Sequence, residues 1–365
     1  MTITVLHVAQ PTEAGVARYV LGACQDQHAR GWLVTAACPD GGRLADGLAR
    51  AGIPRRHWAA TRGPGFRSLT ETVRLRELIR SVRPDVLHLH ASKAGLAGRL
   101  WPVPRLPILF QPHGWSWLAV DGALRRACVA WERAAARRTA LLICVGEDEA
   151  EQGRQRGVRG RYAIIRNGVD LTEFRLAGAT ERAAARRRLG VPAGVPLAVC
   201  PGRLTRQKGQ DVLLTAWPAV RHACPDAHLA LIGDGELAEP LHARATPGVT
   251  FAGAVDDVRD WLAAADVVAL PSRWEGLSLA LLEAMATGRG VVASDVPGLR
   301  EALGPGAGQL VAAGDPVPLA HGLITRLRDP AARAAEGAEA ARQATRFDLR
   351  RTYQQLAAHT EQVLQ

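Results

Sequence analysis

The stretch PSRWEGLSLALLEAMATGRGVVAS, Pro271 to Ser294, decides how this chain is read. The run before it, Val267 to Leu270, is apolar and reads as the end of a buried strand. Gly276-Leu277-Ser278 reads as a turn with Ser278 at the N-cap. Leu279 to Thr287 reads as an apolar helix, and Val291 to Ala293 as the next strand. Across that turn lie two carboxylates, Glu275 and Glu283, with seven residues between them. Glu283 stands amid Leu281, Leu282, Ala284 and Met285, a costly place for a charge unless it meets a partner. A helix N-terminus presents free backbone N–H groups and partial positive charge, which suits a phosphate. Eight residues of helix rise roughly 12 Å, about the span from ribose to sugar in a nucleotide sugar. One carboxylate is so placed to grip ribose hydroxyls while the other grips a transferred sugar. A helix with one N-terminal acid and one surface acid would show the same pattern.

Upstream, PGRLTRQKGQD, Pro201 to Asp211, follows a buried strand and opens a helix near Gly209. Arg203 and Lys208 flank its tight loop. Two cations at a helix start are what a diphosphate leaving group needs, because they neutralise charge that develops as the sugar–phosphate bond breaks. LIGDGEL, Leu231 to Leu237, and FAGAVDDV, Phe251 to Val258, are further loops at the carboxyl edge of a parallel sheet, where ligands bind in such folds. Within the helix after Gly209, Trp217-Pro218 predicts a kink or an early end.

These residues carry a resemblance. The segment from Pro271 resembles the E-x7-E signature of retaining glycosyltransferases of family 4, and Gly202 to Gly209 resembles that family's G-R-x-x-x-x-K-G. The resemblance implies the GT-B fold: two Rossmann-like α/β domains facing across a cleft, with a C-terminal helix crossing back to the first. It implies donor contacts from Gly202, Arg203, Lys208, Gly233, Val255, Glu275, Gly276, Leu277, Ser278 and Glu283, with Arg203 and Lys208 on the diphosphate, Glu275 beside the sugar and Glu283 on the ribose. The chain departs from the common pattern at Gly288-Arg289-Gly290 and Val296-Pro297-Gly298, while Glu301 keeps its place. In the first half, HVAQPTEAGVARYV, His7 to Val20, is similar to the family's first loop. There Gly15 would let the backbone approach donor and acceptor, the familiar Gly-Gly being reduced to Ala14-Gly15. HLHASKAGLAGRL, His88 to Leu100, and FQPHGWSW, Phe110 to Trp117, resemble enzymes that build bacterial surface glycans. A histidine at a position like His113 faces the donor sugar in such enzymes, so His113 is preferred to His90. The catalytic set expected is thus His113, Arg203, Lys208 and Glu275. A UDP-sugar is favoured over a GDP- or ADP-sugar, although the base-framing loops do not discriminate among them.

No cofactor is expected. The first loop lacks G-x-G-x-x-G, which argues against a dinucleotide, and no D-x-D motif is convincing. His88 and His90 share a strand face, yet no third and fourth ligand presents itself at usable spacing, so no metal is expected. Ser92-Lys93 either meets an anionic acceptor or is solvated.

Short apolar runs alternate with amphipathic ones along the whole chain. The strand-like runs are Ile3–Val8, Leu33–Ala37, Val86–His90, Ile108–Gln111, Leu141–Val145, Ala163–Ile165, Leu197–Cys200, Ala227–Ile232, Val249–Phe251, Val267–Leu270 and Val291–Ala293. That order argues for parallel sheets covered on both faces, and there are too many strands for one sheet of usual size. The domains expected are 1–168, binding acceptor, 169–347, binding the nucleotide sugar, and a helix over 348–365 packing back on the first. Asn167-Gly168-Val169-Asp170 supplies the turn at the boundary.

At 365 residues the chain can bury two cores. No apolar run reaches the roughly 18 residues of a membrane span, and MTITVLHVAQ reads as a first strand rather than a signal peptide. The six cysteines show no C-x-x-C pair and suit reduced thiols in a cytoplasmic protein. Charge is uneven: residues 1–170 carry 25 Lys/Arg against 14 Asp/Glu, a net of +11, whereas residues 171–365 carry 21 against 21. Arg67, Arg74, Arg76, Arg80 and Arg83 fall on one predicted helix. Arg125, Arg126, Arg133, Arg137 and Arg138 fall on another, ALRRACVAWERAAARR, which is amphipathic and holds Trp131. Such a basic half suits a nucleotide-sugar donor, a glycan or lipid-linked acceptor, and an anionic membrane surface at the inner face as a further partner. Nucleic acid is excluded, because aromatic platforms and a recognisable binding module are lacking. The reaction expected is retaining sugar transfer to a glycan, lipid-linked or small-molecule acceptor. The alternatives are a nucleotide-sugar epimerase of the same fold, or a soluble natural-product or thiol-cofactor precursor as acceptor.

Overall fold

The structure is a computed structural model that describes residues 2–61, 63, 65, 67–101, 103 and 105–365. Met1 and the side chain of Arg67 lie outside the described residues. The chain divides into two compact units, one of residues 1–167 with 350–365, the other of residues 168–349.

In the first unit the chain alternates β1 (Thr4–Ala9), α1 (Ala14–Ala29), β2 (Leu33–Cys38), α2 (Gly42–Arg50), β3 (Arg55–His57), α3 (Arg67–Val82), β4 (Val86–His90), α4 (Ala91–Arg99), β5 (Ile108–Gln111), α5 (Gly122–Ala135), β6 (Leu141–Cys144), α6 (Glu147–Gln155) and β7 (Tyr162–Ile164). The strands form one parallel sheet in the order β3-β2-β1-β4-β5-β6-β7. Its strands are apolar on both faces because helices cover both. Trp58, Phe110, Trp115 and Trp117 fill one side, with the last two indoles stacked at 4.5 Å. On the other side α1 packs Val20 and Cys24 against Val5 and Val34.

The register places four polar side chains on a single sheet face. His7 pairs with His88, and His90 with Gln111, across neighbouring parallel strands. Alternate residues of a strand share a face, so His7, His88, His90 and Gln111 gather at the point where strand order reverses, between β1 and β4.

The second unit runs through α7 (Ala179–Leu189), β8 (Leu197–Pro201), α8 (Gln210–Ala223), β9 (His228–Ile232), α9 (Ala238–His242), β10 (Val249–Gly253), α10 (Arg259–Ala264), β11 (Val267–Leu270), α11 (Leu279–Ala286), β12 (Gly290–Ser294), α12 (Pro297–Ala302), β13 (Gly308–Val311), α13 (Pro316–Arg328) and α14 (Pro330–Ala344). Its parallel sheet has the order β10-β9-β8-β11-β12-β13. The core is built round Trp217, Leu213, Val220, Leu229, Ala269 and Leu323. Asp266, just before β11, is a buried staple. It accepts from Arg182, Arg186 and the Leu197 N–H at 2.6 to 2.8 Å. These bonds hold its carboxyl below the usual carboxylate range although burial pushes the other way. The last helix, α15 (Leu349–Gln362), belongs to the first unit from Arg350 on. There Tyr353 donates to the Tyr19 carbonyl and Thr352 to that of Arg166.

Four expectations need correction. Neither β3 nor β13 was foreseen, because both are short edge strands without an apolar run of their own. Of the two outcomes expected at Trp217-Pro218, a kink or an early end, the early end does not occur: helix α8 continues through Pro218 to Ala223. Burial of Trp217 and Val220 in the core offsets the missing N–H. Arg138 is not a free surface charge: it donates to the carbonyls of Arg99 and Leu100 at the end of α4. Arg83 follows α3 rather than lying on it.

Candidate functional site

In the second unit the residues singled out by sequence lie on loops leaving β8, β9 and β11, and β8 and β11 are the strands between which the order reverses. That is where a doubly wound sheet leaves a crevice for ligands. Lys208 donates to Glu275 Oε1 at 2.5 Å, and Ser272 donates to the same oxygen at 2.8 Å. Gln207 reaches Glu275 Oε2 at 3.4 Å and the Trp274 carbonyl at 3.1 Å, and lies 3.5 Å from Arg203. Arg203, Lys208 and Glu275 are thereby gathered through Gln207, a residue that sequence reasoning missed. Glu275 is 9 % exposed and Lys208 only partly open. Gln210 holds the Arg203 carbonyl from the first turn of α8.

The glycines explain how the loops fit. Gly202 and Gly233 have φ of 149° and 143°. A Cβ on Gly233 would stand 2.2 Å from the Gly202 carbonyl oxygen, so the two loops touch backbone to backbone. Gly276 is pressed in the same way by Gly298, whose Cβ would stand 1.6 Å from the Gly276 oxygen. Leu277 and Ser278 follow at the mouth of α11. Ser278 occupies the N-cap position, but its hydroxyl makes no capping bond, contrary to expectation. That Oγ is buried without a partner, at a helix end whose N–H groups suit an anion. Glu283 lies further along α11 and is 5 % exposed. Val255 lies on the loop after β10, half-buried.

In the first unit, His113 has φ of 53°, a left-handed conformation rare outside glycine. The cause is a clamp the sequence did not reveal. Glu149, buried in the first turn of α6, accepts from the Gly114 N–H at 2.6 Å and the Val145 N–H at 2.8 Å. Trp115 donates its indole N–H to the Glu149 carbonyl at 2.7 Å. The signal that could have found it is an acid at the third position of a helix, three residues after Gly146.

Behind His113 lies a row of histidines. His113 Nε2 is 3.1 Å from His90 Nδ1, His90 Nε2 is 3.0 Å from His7 Nδ1, and His7 Nε2 is 2.8 Å from Gln27 Oε1. His7, His88 and His90 are buried to within 1 %. Burial lowers the pKa of His7 to about 4 against the Gln27 bond, lowers that of His113 to about 3, and lowers those of His88 and His90 well below 6.5. These rings are neutral at neutral pH. The expectation that His88 and His90 lack a third companion is therefore corrected. His7, remote in sequence but adjacent in register, brings three ring nitrogens within 4.8 Å of one another. Three imidazoles can hold a metal ion, but a hydrogen bond between His7 and His90 uses the lone pair that an ion would need.

Two other expectations change. Lys93 is neither solvated nor open to an acceptor: it is 6 % exposed and bonds Glu71, Gly63 and Ser68 at 2.6 to 3.0 Å. Gly15 is helical and exposed, and the left-handed backbone falls on Ala14, with φ of 60°.

Two parallel-sheet Rossmann-like units with their polar side chains at the strand-order reversals define a GT-B architecture. Solved structures agree: the Anabaena protein HepE in complex with UDP-glucose matches with a TM-score of 0.86 at 24% identity, covering 99% of this chain and 100% of that one. The model for "Glycosyltransferase Family 4" matches residues 14–173, and that for "Glycosyl transferases group 1" matches residues 195–329. A D-inositol 3-phosphate glycosyltransferase of Xylanimonas cellulosilytica is 33% identical over 70% of this chain and 67% of its own. The chain belongs to glycosyltransferase family 4. A GDP-mannose-dependent monoacylated phosphatidylinositol monomannoside mannosyltransferase of Corynebacterium glutamicum is 38% identical over 50% of this chain, and the chain spans about half of it, 51%. No helix among the described residues is long and apolar enough to cross a membrane.

Proposed function

We propose that the protein transfers a sugar, with retention, from a nucleotide diphosphate sugar to a hydroxyl of a glycan, lipid-linked or small-molecule acceptor. The observation that carries this reading is the Lys208–Glu275 pair, 2.5 Å apart on loops from adjacent strands, together with a buried hydroxyl, Ser278 Oγ, that has no partner at the start of α11. Arg203 and Lys208 neutralise the departing diphosphate, and the N–H groups at Leu279 and beyond hold its oxygens. Glu275, with Ser272 and Gln207, holds the lysine where the charge appears and meets the sugar. Glu283 grips ribose, while Gly233 and Val255 frame the base. His113 meets a sugar hydroxyl, and the left-handed backbone at Ala14, next to the exposed Gly15, leaves room for the acceptor. No residue here forms a covalent adduct; the acceptor proton passes to the leaving phosphate. Neither metal nor cofactor takes part in this scheme.

The donor carries uridine in this reading. Named relatives depend on GDP-mannose or UDP-galactose, so a thermal-shift panel of UDP, GDP and ADP is the direct test. A larger shift with GDP would reverse the base assignment without touching the fold. Lys208→Ala should lower turnover by roughly 10²–10³-fold while melting as the wild type does. Wild-type turnover in that variant would end the diphosphate assignment. An isomerised donor formed with no acceptor present would favour an epimerase instead.

Six free cysteines, five of them buried, suit a reducing cytoplasm. The exposed side of α5 carries Leu124, Arg126 and Arg133, with Arg137 in the 3-10 turn that follows it, and it supports docking on an anionic inner membrane face. Vesicles containing anionic lipid should float the protein at low salt and release it at high salt. Failure to float at low salt removes that partner and leaves the transfer reaction standing.

A further inference from the structure

The histidine row has a property that neither its burial nor the family fixes. We infer that Gln27, His7 and His90 form a tautomer lock that holds His113 with its proton on Nε2 and a bare lone pair on Nδ1, so that His113 accepts a hydrogen bond from a substrate hydroxyl rather than donating one.

Three contacts link four side chains in single file: Gln27 Oε1 to His7 Nε2 at 2.8 Å, His7 Nδ1 to His90 Nε2 at 3.0 Å, and His90 Nδ1 to His113 Nε2 at 3.1 Å. Adjacent rings are tilted by only 13° and 25°. An imidazole lone pair lies in the ring plane, so near-coplanar rings suit N–H···N bonds. A neutral imidazole has one N–H and one acceptor nitrogen. Three rings thus bring three protons to three bonds, and each bond needs one. Only two arrangements satisfy all three. In one, every Nε2 donates toward Gln27. In the other, every Nδ1 donates away from it, and Gln27 must donate as well. The choice belongs to a single group, the Gln27 amide, which presents its oxygen to His7. With Oε1 as the terminal acceptor, His7, His90 and His113 all carry Nε2–H, and Nδ1 of His113 is left over.

His113 is the one ring of the three with access to solvent, because His7 and His90 are fully buried. The lone pair is therefore set at the accessible end by a residue three contacts away. The row is not a proton conduit. A proton entering at His113 would have to leave through an amide oxygen, and Gln27 has no acidic or basic partner to take it. Gln27, His7 and His90 are accordingly positioning residues. The fourth histidine, His88, stands outside the file, with the Gln111 amide as its polar neighbour. The consequence for specificity is direct. A substrate offering O–H at this point is favoured over one offering only an ether or carbonyl oxygen, which would face a lone pair. That last step rests on the proposed sugar transfer; the tautomer assignment does not.

The test is nitrogen-15 spectroscopy of the full chain labelled at histidine, with the His113 signals assigned through His113→Asn. The expected wild-type result is protonated Nε2 and bare Nδ1 on His7, His90 and His113. Protonated Nδ1 on all three would overturn the acceptor role, and a mixture of tautomers among them would overturn the lock. Gln27→Met removes the terminal acceptor without touching His113. It should turn His113 into a mixture of both tautomers and raise the KM for the sugar substrate roughly fivefold, the worth of one hydrogen bond, with a smaller change in kcat. His90→Gln interrupts the file midway and should free His113 in the same manner if Gln27→Met fails to fold. An unchanged His113 tautomer in either folded variant sinks the proposal. A tautomer shift without a KM change keeps the lock and refutes the sugar contact.

Discussion

At the scale of the residue, two of the groups that matter most are placed by partners far away in sequence. His113 was legible as a candidate through its motif, but its left-handed backbone was not, because the restraint comes from Glu149, 35 residues beyond Gly114. The carboxylate spans two backbone N–H groups, at Gly114 and Val145. Glu149→Ala would strand both donors and release the strained turn. Bonds to a charged acceptor are worth about 1.5–3 kcal/mol, so the variant should lose roughly that much stability in urea. Turnover should fall in parallel, as His113 relaxes from its strained conformation. A variant that keeps wild-type turnover would show that the clamp supports the fold and not the site. Lys93 teaches the opposite lesson. As a lysine after a strand end it was read as either meeting an anionic acceptor or solvated, yet it is consumed by Glu71 of α3. A single charged letter does not say whether its partner is a substrate or another side chain.

At the scale of the element, periodicity read most strands within a residue or two, because parallel strands buried on both faces are apolar throughout. It missed β3 and β13, which lie at sheet edges and need no such run. At Pro218 it allowed a kink or an early end, and the early end does not occur. Proline costs about 3 kcal/mol in an exposed helix interior, and on local grounds α8 should have stopped. Trp217 and Leu214, both buried, hold the helix together across the gap. Pro218 itself is exposed, so replacing it removes little packing. Pro218→Ala should restore the N–H bond to Leu214 and raise the stability of the second unit by about 1–3 kcal/mol. A urea midpoint that drops instead would mean the proline is required by packing and not merely tolerated. The glycine contacts were half legible: Gly202, Gly233 and Gly298 could be singled out, but not that they press loop against loop.

At the scale of the whole molecule, the division into two sheets followed from counting strands, whereas the polar row across β1 and β4 did not, since register is invisible until strands are paired. That row makes the first unit sensitive to acid. His7 has its pKa lowered to about 4 by burial, against 6.5 in an open chain. Above about pH 6.5 the folded and unfolded states both hold it neutral, and it contributes no pH dependence. Between 6.5 and 4 the unfolded chain takes up a proton that the folded chain refuses, so stability falls with falling pH. The loss attributable to His7 alone approaches roughly 3 kcal/mol by pH 4, and His88, His90 and His113, lowered in the same direction, add to it. The second unit buries no such group: its histidines, His222, His228, His242 and His321, are all exposed. Urea unfolding followed at pH values from about 7.5 down to about 4.5 should therefore show the first unit losing stability steeply while the second declines less. His7→Asn would cost stability at neutral pH but should flatten that slope. A slope unchanged in the variant, or two units that weaken together, would mean that the acid sensitivity arises from the carboxylates and not from the buried imidazoles.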